Sequence, residues 1–259
     1  MSAAASEQRR LAAPRATGVW PVLLLLAIAG VCWAVTVQRM RGMDMGPGTD
    51  LGALGWFVVI WVTMMAAMML PSLSPVALGA ARAASRGCAS TLARTAAFAA
   101  GYLLPWAAFG VLAYLLIHSV RSLDLGFLAW SRAGQYVAGG VILASAVYEL
   151  TPAKRRCLRH CREVVLLRRR PGFAGAAIMG AEQGGFCVGC SGALMVSLFA
   201  LGVMSIAWML VIATLIALEK LLPRGVAAVG VTAAVLAVLS VAIMLVPDQV
   251  PWLTIPMSG

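Results

Sequence analysis

Apolar residues in this chain run in long, nearly unbroken stretches instead of alternating with polar ones. Seven stretches stand out, at about 19–37, 52–70, 95–117, 134–150, 183–204, 206–221 and 226–246. Each is near the ~20 residues that a helix needs to cross ~30 Å of hydrocarbon. Inside lipid a helix is the open-chain structure that satisfies its own backbone polar groups. The pattern therefore predicts an all-α, polytopic transmembrane helix bundle of about seven spans, with residues 1–18 before it and a tail at 247–259. Little more than Met204-Ser205 separates the fifth and sixth spans, which predicts a tight helical hairpin. The first apolar run is long and no clear A-x-A site follows it, so it reads as a span and not as a cleaved signal peptide.

Composition agrees with the pattern. The chain is 62% apolar and 11% charged, against roughly 45–50% and about 25% in a soluble domain. Mean hydropathy is +0.93. A soluble enzyme, a disordered protein and a disulfide-stapled secreted domain are excluded. The net charge of +11, from 20 Lys+Arg against 9 Asp+Glu, would suggest nucleic acid in a soluble chain. Its arrangement says otherwise. With the N-terminus inside, 16 basic residues fall on the inner side, and Arg39, Arg41, Arg121 and Arg132 on the outer. Basic residues beside spans set orientation, so the N-terminus is expected in the cytoplasm and the C-terminal tail, 247–259, outside. The inner loop 151–173 is the most basic segment, and its Glu163–Leu167 stretch could lie on the membrane surface. No nucleic-acid partner is expected; the bilayer is.

Six cysteines occur. Cys32 lies in the first span and reads as a small buried apolar residue; Cys88 stands alone in an inner loop. The other four form Cys157-x-x-x-Cys161 and Cys187-x-x-Cys190. Spacings of four and three place both members of a pair on one helix face. Paired thiols facing a reducing compartment point to metal or redox chemistry more than to a structural disulfide. His160 lies within the first pair. In the second span Met64, Met65, Met68 and Met69 stack along the helix. Thioethers, like thiolates, are soft ligands that favour Cu(I), although methionine also fills gaps in apolar cores. Counted from the outer ends of their spans at ~1.5 Å per residue, Met64–Met69 and Cys187–Cys190 share a layer ~18–26 Å down. That coincidence favours a metal site over mere packing, provided Gly184-Gly185 does not break the fifth span.

Three acids lie at inner span ends. Glu219 has Lys220 or Arg224 as an evident partner, Glu149 reads as interfacial, and Glu182 near the CxxC pair could be a ligand or a proton acceptor. Outside, Met40, Met43, Asp44 and Met45 could offer a weak Cu(I) contact on an exit side. His118 is a lone histidine with no chemistry assigned to it.

These residues resemble a family of bacterial predicted metal-binding integral membrane proteins. Some of its members are described as membrane copper chaperones that help mature copper oxidases such as tyrosinases and laccases. The likeness rests on Trp61 through Pro71 with Pro75, and on Thr151-Pro152-Ala-Lys154 with Cys157-Leu-Arg-His160-Cys161. It rests further on Gly184-Gly-Phe-Cys187-Val-Gly-Cys190, Ala193-Leu194-Met195, Gly202-Val-Met204 and Glu219-Lys220, and covers about residues 50–225. Where the family pattern often has a further Cys and a His, this chain has Ser191 and Gln183. The resemblance implies a multi-pass protein of the bacterial inner membrane.

The leading expectation is a non-enzymatic Cu(I)-handling chaperone or conduit. Cys157 and Cys161 would receive the ion from a soluble metallochaperone, and Cys187, Cys190 and Met64, Met65, Met68 and Met69 would hold it. Met43 and Met45 would release it toward a copper-enzyme client, with His160 and Glu182 as lesser candidates. A thiol–disulfide oxidoreductase and a non-catalytic scaffold subunit are the alternatives. No G-x-x-x-x-G-K-[ST] loop is present for ATP-driven pumping. Small residues such as Gly101, Gly139-Gly140 and Gly175 could permit close helix contacts, within the chain or in an oligomer.

Overall fold

The structure is a computed structural model that describes residues 19–40, 52–74, 88–122, 134–162, 172–202, 205–222, 225–247 and 250. Among these, eight α-helices follow one another: α1 (Trp20–Met40), α2 (Leu54–Met69), α3 (Cys88–Ser122), α4 (Gln135–Glu149), α5 (Pro152–Arg162), α6 (Gly172–Leu201), α7 (Ile206–Leu221) and α8 (Gly225–Leu245). A 3₁₀ turn at Leu70–Leu73, with Pro71 near its start, extends α2. Five of the helical stretches are long and apolar enough to cross a membrane, and a sixth if α4 and α5 are taken as one span bent by 66°. Their outward faces carry large apolar side chains, Leu112, Leu116 and Val238 among them, as a lipid-facing surface would.

Three elements differ from the sequence expectation. Helix α3 runs over Cys88–Ser122 instead of about 95–117, so Cys88 opens a helix and does not stand in a loop. The fifth span begins at Gly172 instead of about 183, and Gly184-Gly185 does not break it. The basic segment 151–173 is not simply a loop, because Pro152–Arg162 is helical. Thr151 explains both the bend and the new helix. Its hydroxyl accepts from the Lys154 backbone N–H at 3.3 Å and so caps α5, while Pro152 suits a first helical turn and biases its predecessor away from helix. The α6–α7 junction is short, as expected. Gly202, at φ +103, ends α6, and the Ser205 side chain accepts from Trp208 N–H to start α7.

The longest interface is that of α3 with α6, and glycine makes it possible. A Cβ at Gly180 would press on the Phe98 carbonyl and come within 2.9 Å of the Tyr102 nitrogen; one at Gly184 would come within 3.1 Å of the Tyr102 carbonyl carbon. Such small-residue contacts let backbones close on each other where lipid supplies no hydrophobic drive. Gly180→Val is expected to cost ~1–3 kcal/mol through overpacking, read as a lower thermal midpoint in detergent. Gly140→Val, where an added Cβ meets nothing within 4 Å, should leave the midpoint unchanged. Elsewhere Trp61 donates to the Trp106 carbonyl at 2.8 Å, joining α2 to α3. Ser145 and Tyr148 of α4 donate to the Ala193 and Gly189 carbonyls of α6.

Candidate metal centre

Helix α6 sets two sulfurs on one buried face, since Cys187 and Cys190 lie three residues apart and neither is solvent-exposed. Helix α5 crosses this face and adds Cys161 from its last turn. The three Sγ atoms all lie within 4.8 Å of one another, with Cys161 and Cys190 at 3.4 Å. Metal–thiolate bonds near ~2.3 Å would put three trigonal sulfurs ~4 Å apart, so one ion fits with small shifts. A fourth soft atom adjoins them: Met69 Sδ lies 4.0 Å from Cys187 Sγ.

Polar groups converge on Cys187 from two further helices. Tyr102 Oη of α3 donates to its Sγ at 2.8 Å, and Lys220 Nζ of α7 donates at 2.9 Å. The same ammonium reaches Met69 Sδ at 3.7 Å and Ser72 Oγ at 3.5 Å. A cavity of about 210 Å³ opens beside the sulfurs, lined among others by Tyr102, Cys161, Gln183 and Lys220, with half-buried Arg162 and exposed Leu221 at its rim.

A polar helix such as α5 needs specific anchors to lie against the bundle. Lys154 supplies the main one, for its fully buried ammonium is paired with Glu149 of α4 and lies 2.8 Å from Glu219 of α7. Leu158 packs beside Cys190 and Val229. Gln183 Nε2 donates to the Cys161 carbonyl at 2.8 Å, and Arg162 donates to the Lys220 and Leu222 carbonyls at the end of α7. Cys161 is thus positioned by contacts on both sides of it.

The sequence-derived candidates separate clearly. Cys161, Cys187, Cys190 and Met69 come together. Cys157 does not join them; its sulfur lies against Gly189, where an added Cβ would stand 2.7 Å away. The i, i+4 spacing in α5 thus does not put both thiols at one centre: both reach α6, but Cys161 meets Cys190 while Cys157 meets Gly189. Met64, Met65 and Met68 are buried in the apolar core. His160 is exposed and stacks on Phe186 at 4.7 Å, and Glu182 is exposed on α6. Neither belongs to the sulfur cluster. Glu219 pairs with Lys154 and not with its neighbour Lys220, Arg224 lies outside the described residues, and Glu149 is fully buried instead of interfacial. Met43 and Met45 lie outside the described residues, as does the side chain of Cys88. Gln183 serves as a donor to the Cys161 carbonyl, and Ser191 Oγ lies 3.4 Å from Cys190 Sγ. His118 stacks on Tyr114, and half-buried Cys32 packs against the core. Sequence reasoning missed Tyr102, Lys154 and the role of Lys220. An ionisable side chain in an apolar helix is itself a signal of function, and Lys220 carried it.

Comparison with known proteins bears on residues 58–243, which match the family model described as PpoB2, copper chaperone. The matched range contains the sulfur cluster, Met69, Lys220 and the Glu149–Lys154–Glu219 triad. No curated protein and no solved structure matches the chain.

Proposed function

The chain belongs to the PpoB2 copper-chaperone family, and we propose that its cargo is Cu(I), held by Cys161, Cys187 and Cys190 with Met69 beside them. The observation that carries this reading is the convergence of three thiols from two helices within 4.8 Å. Soft sulfur donors favour Cu(I), and a low-coordinate ion can pass from one thiolate to the next by ligand exchange. No bond in a substrate is made or broken, so the protein is a carrier and not an enzyme. It works as a multi-pass protein of a bacterial inner membrane, N-terminus in and C-terminus out, and serves a copper-enzyme client. In a seven-span arrangement α4 with 15 residues and α7 with 16 are the short spans.

Lys220 offsets part of the charge. Cu(I) on three thiolates carries a net charge of −2, costly at membrane depth, and the one ammonium beside Cys187 halves it. Lys220→Met is expected to weaken Cu(I) binding about tenfold, the upper end of what removing a partner of a ligand usually costs being ~100-fold. Lys220→Arg should retain most of the affinity. Competition against a chromophoric Cu(I) chelator measures both.

Metal analysis of the purified chain tests the reading itself. Copper near one equivalent, absent from Cys187→Ser/Cys190→Ser, supports it; an equal metal content in both would overturn it. The 3.4 Å approach of Cys161 and Cys190 sulfurs also favours a second reading, a thiol–disulfide couple. A metal-free protein whose two thiols are lost together on diamide treatment would establish that one instead.

A further inference from the structure

The cavity beside the sulfurs has a chemistry of its own. Among the described residues that line it, two are cationic, Lys220 and Arg162, and none is acidic. Tyr102, Ser72 and Gln183 add neutral polar groups, and Cys161 forms part of the wall. Arg162 bonds the Lys220 and Leu222 carbonyl oxygens, which are neutral, so its charge stays available to an anion. Helix α5, which borders the cavity through Cys161 and Arg162, contains no acidic residue and exposes Arg155, Arg156 and Arg159. A bare cation would be repelled by this surface; an anion would be drawn to it.

We propose that Cu(I) reaches the centre through this cavity as an anionic bis-thiolate complex of a small, carboxylate-bearing thiol. This rests on the Cu(I) reading above and names the form in which the ion is taken up. A cavity of about 210 Å³ admits the thiol arm of a small molecule and not a folded donor protein. Arg162 and the exposed arginines of α5 attract the complex, and Cys161 meets it first. One Cu–S bond to the small thiol breaks as the bond to Cys161 Sγ forms. The proton of the Cys161 thiol goes to the departing thiolate, which leaves as a neutral thiol, and copper stays Cu(I). A second exchange of the same kind at Cys190, 3.4 Å from Cys161, frees the other small thiol.

The test compares loading rates of the purified full chain from three Cu(I) sources at low ionic strength. They are the glutathione complex, the complex of glutathione diethyl ester (which lacks the carboxylates) and the acetonitrile complex. Loading from glutathione is expected to be at least tenfold faster than from the ester, within the ~10–1,000-fold range of electrostatic steering. That advantage should collapse at high salt and in Arg155→Gln/Arg159→Gln, whose changes are at exposed positions. Equal rates from glutathione and its ester would overturn the proposal, as would an advantage that the double variant keeps. Loading from acetonitrile separates the two levels. If the chain takes Cu(I) from acetonitrile but shows no carboxylate preference, this inference alone fails; if it takes Cu(I) from no source, the copper reading fails with it.

Discussion

Cys161→Ser is expected to reduce Cu(I) affinity by more than ~100-fold, beyond the 10–100-fold typical of losing a partner of a ligand, whereas Cys157→Ser should change it less than about twofold, since its sulfur packs at Gly189 outside the cluster. The two thiols sit four residues apart in one short helix and are chemically identical, so the contrast isolates geometry. Cys161 Sγ is among the three sulfurs that converge, and removing it leaves two on one helix, too few for the trigonal seat. Titration of each variant against a chromophoric Cu(I) chelator gives both constants. Equal losses at the two positions would mean that α5 presents both thiols to the ion and that the convergence of three sulfurs does not define the site.

The second large effect concerns stability. Lys154→Met leaves Glu149 and Glu219 buried without their shared cation, and stranding buried charge in this way costs ~3–5 kcal/mol. Because Lys154 anchors α5, the same variant should also lose copper. Glu149→Leu/Lys154→Met/Glu219→Leu removes all three charges together. Replacing a buried ionic group by apolar residues is often neutral or stabilising, so the triple variant should regain most of the lost thermal midpoint in detergent. A triple variant no more stable than Lys154→Met would show that packing around Lys154, and not its charge, holds α5 in place.

Much of this was legible from residue pattern alone. Long apolar runs define helices because lipid leaves the backbone few choices, and α1, α2, α4, α7 and α8 lie close to where the runs place them. Counting rise per residue puts Met69 and Cys187 in one layer, and their sulfurs lie 4.0 Å apart. What was not legible depends on rotation and on long-range partners. Periodicity puts Cys157 and Cys161 on one face but does not say which of them lands beside the sulfurs of α6 and which on Gly189; that is set by the 66° bend at Thr151-Pro152 and by the Lys154 anchor. Glu219 has Lys220 as its immediate neighbour in sequence, so a local reading pairs those two. Burial decides otherwise. Tyr102 carries no signal at all, because a tyrosine in an apolar helix is ordinary until Gly180 and Gly184 bring its helix onto α6.

The pairing of Lys154 with Glu219 spans 65 residues of chain, and it carries a consequence for biogenesis. Helix α5 leaves the ribosome long before the acid that seats it, and through that interval its lysine has at most Glu149 for company. Cys161 therefore gains its fixed position among the other thiols when α7 arrives, which also delivers Lys220 to Cys187. Until then Cys161 stands apart from the pair that α6 carries, and the three-sulfur cluster is complete only once α5 has been seated.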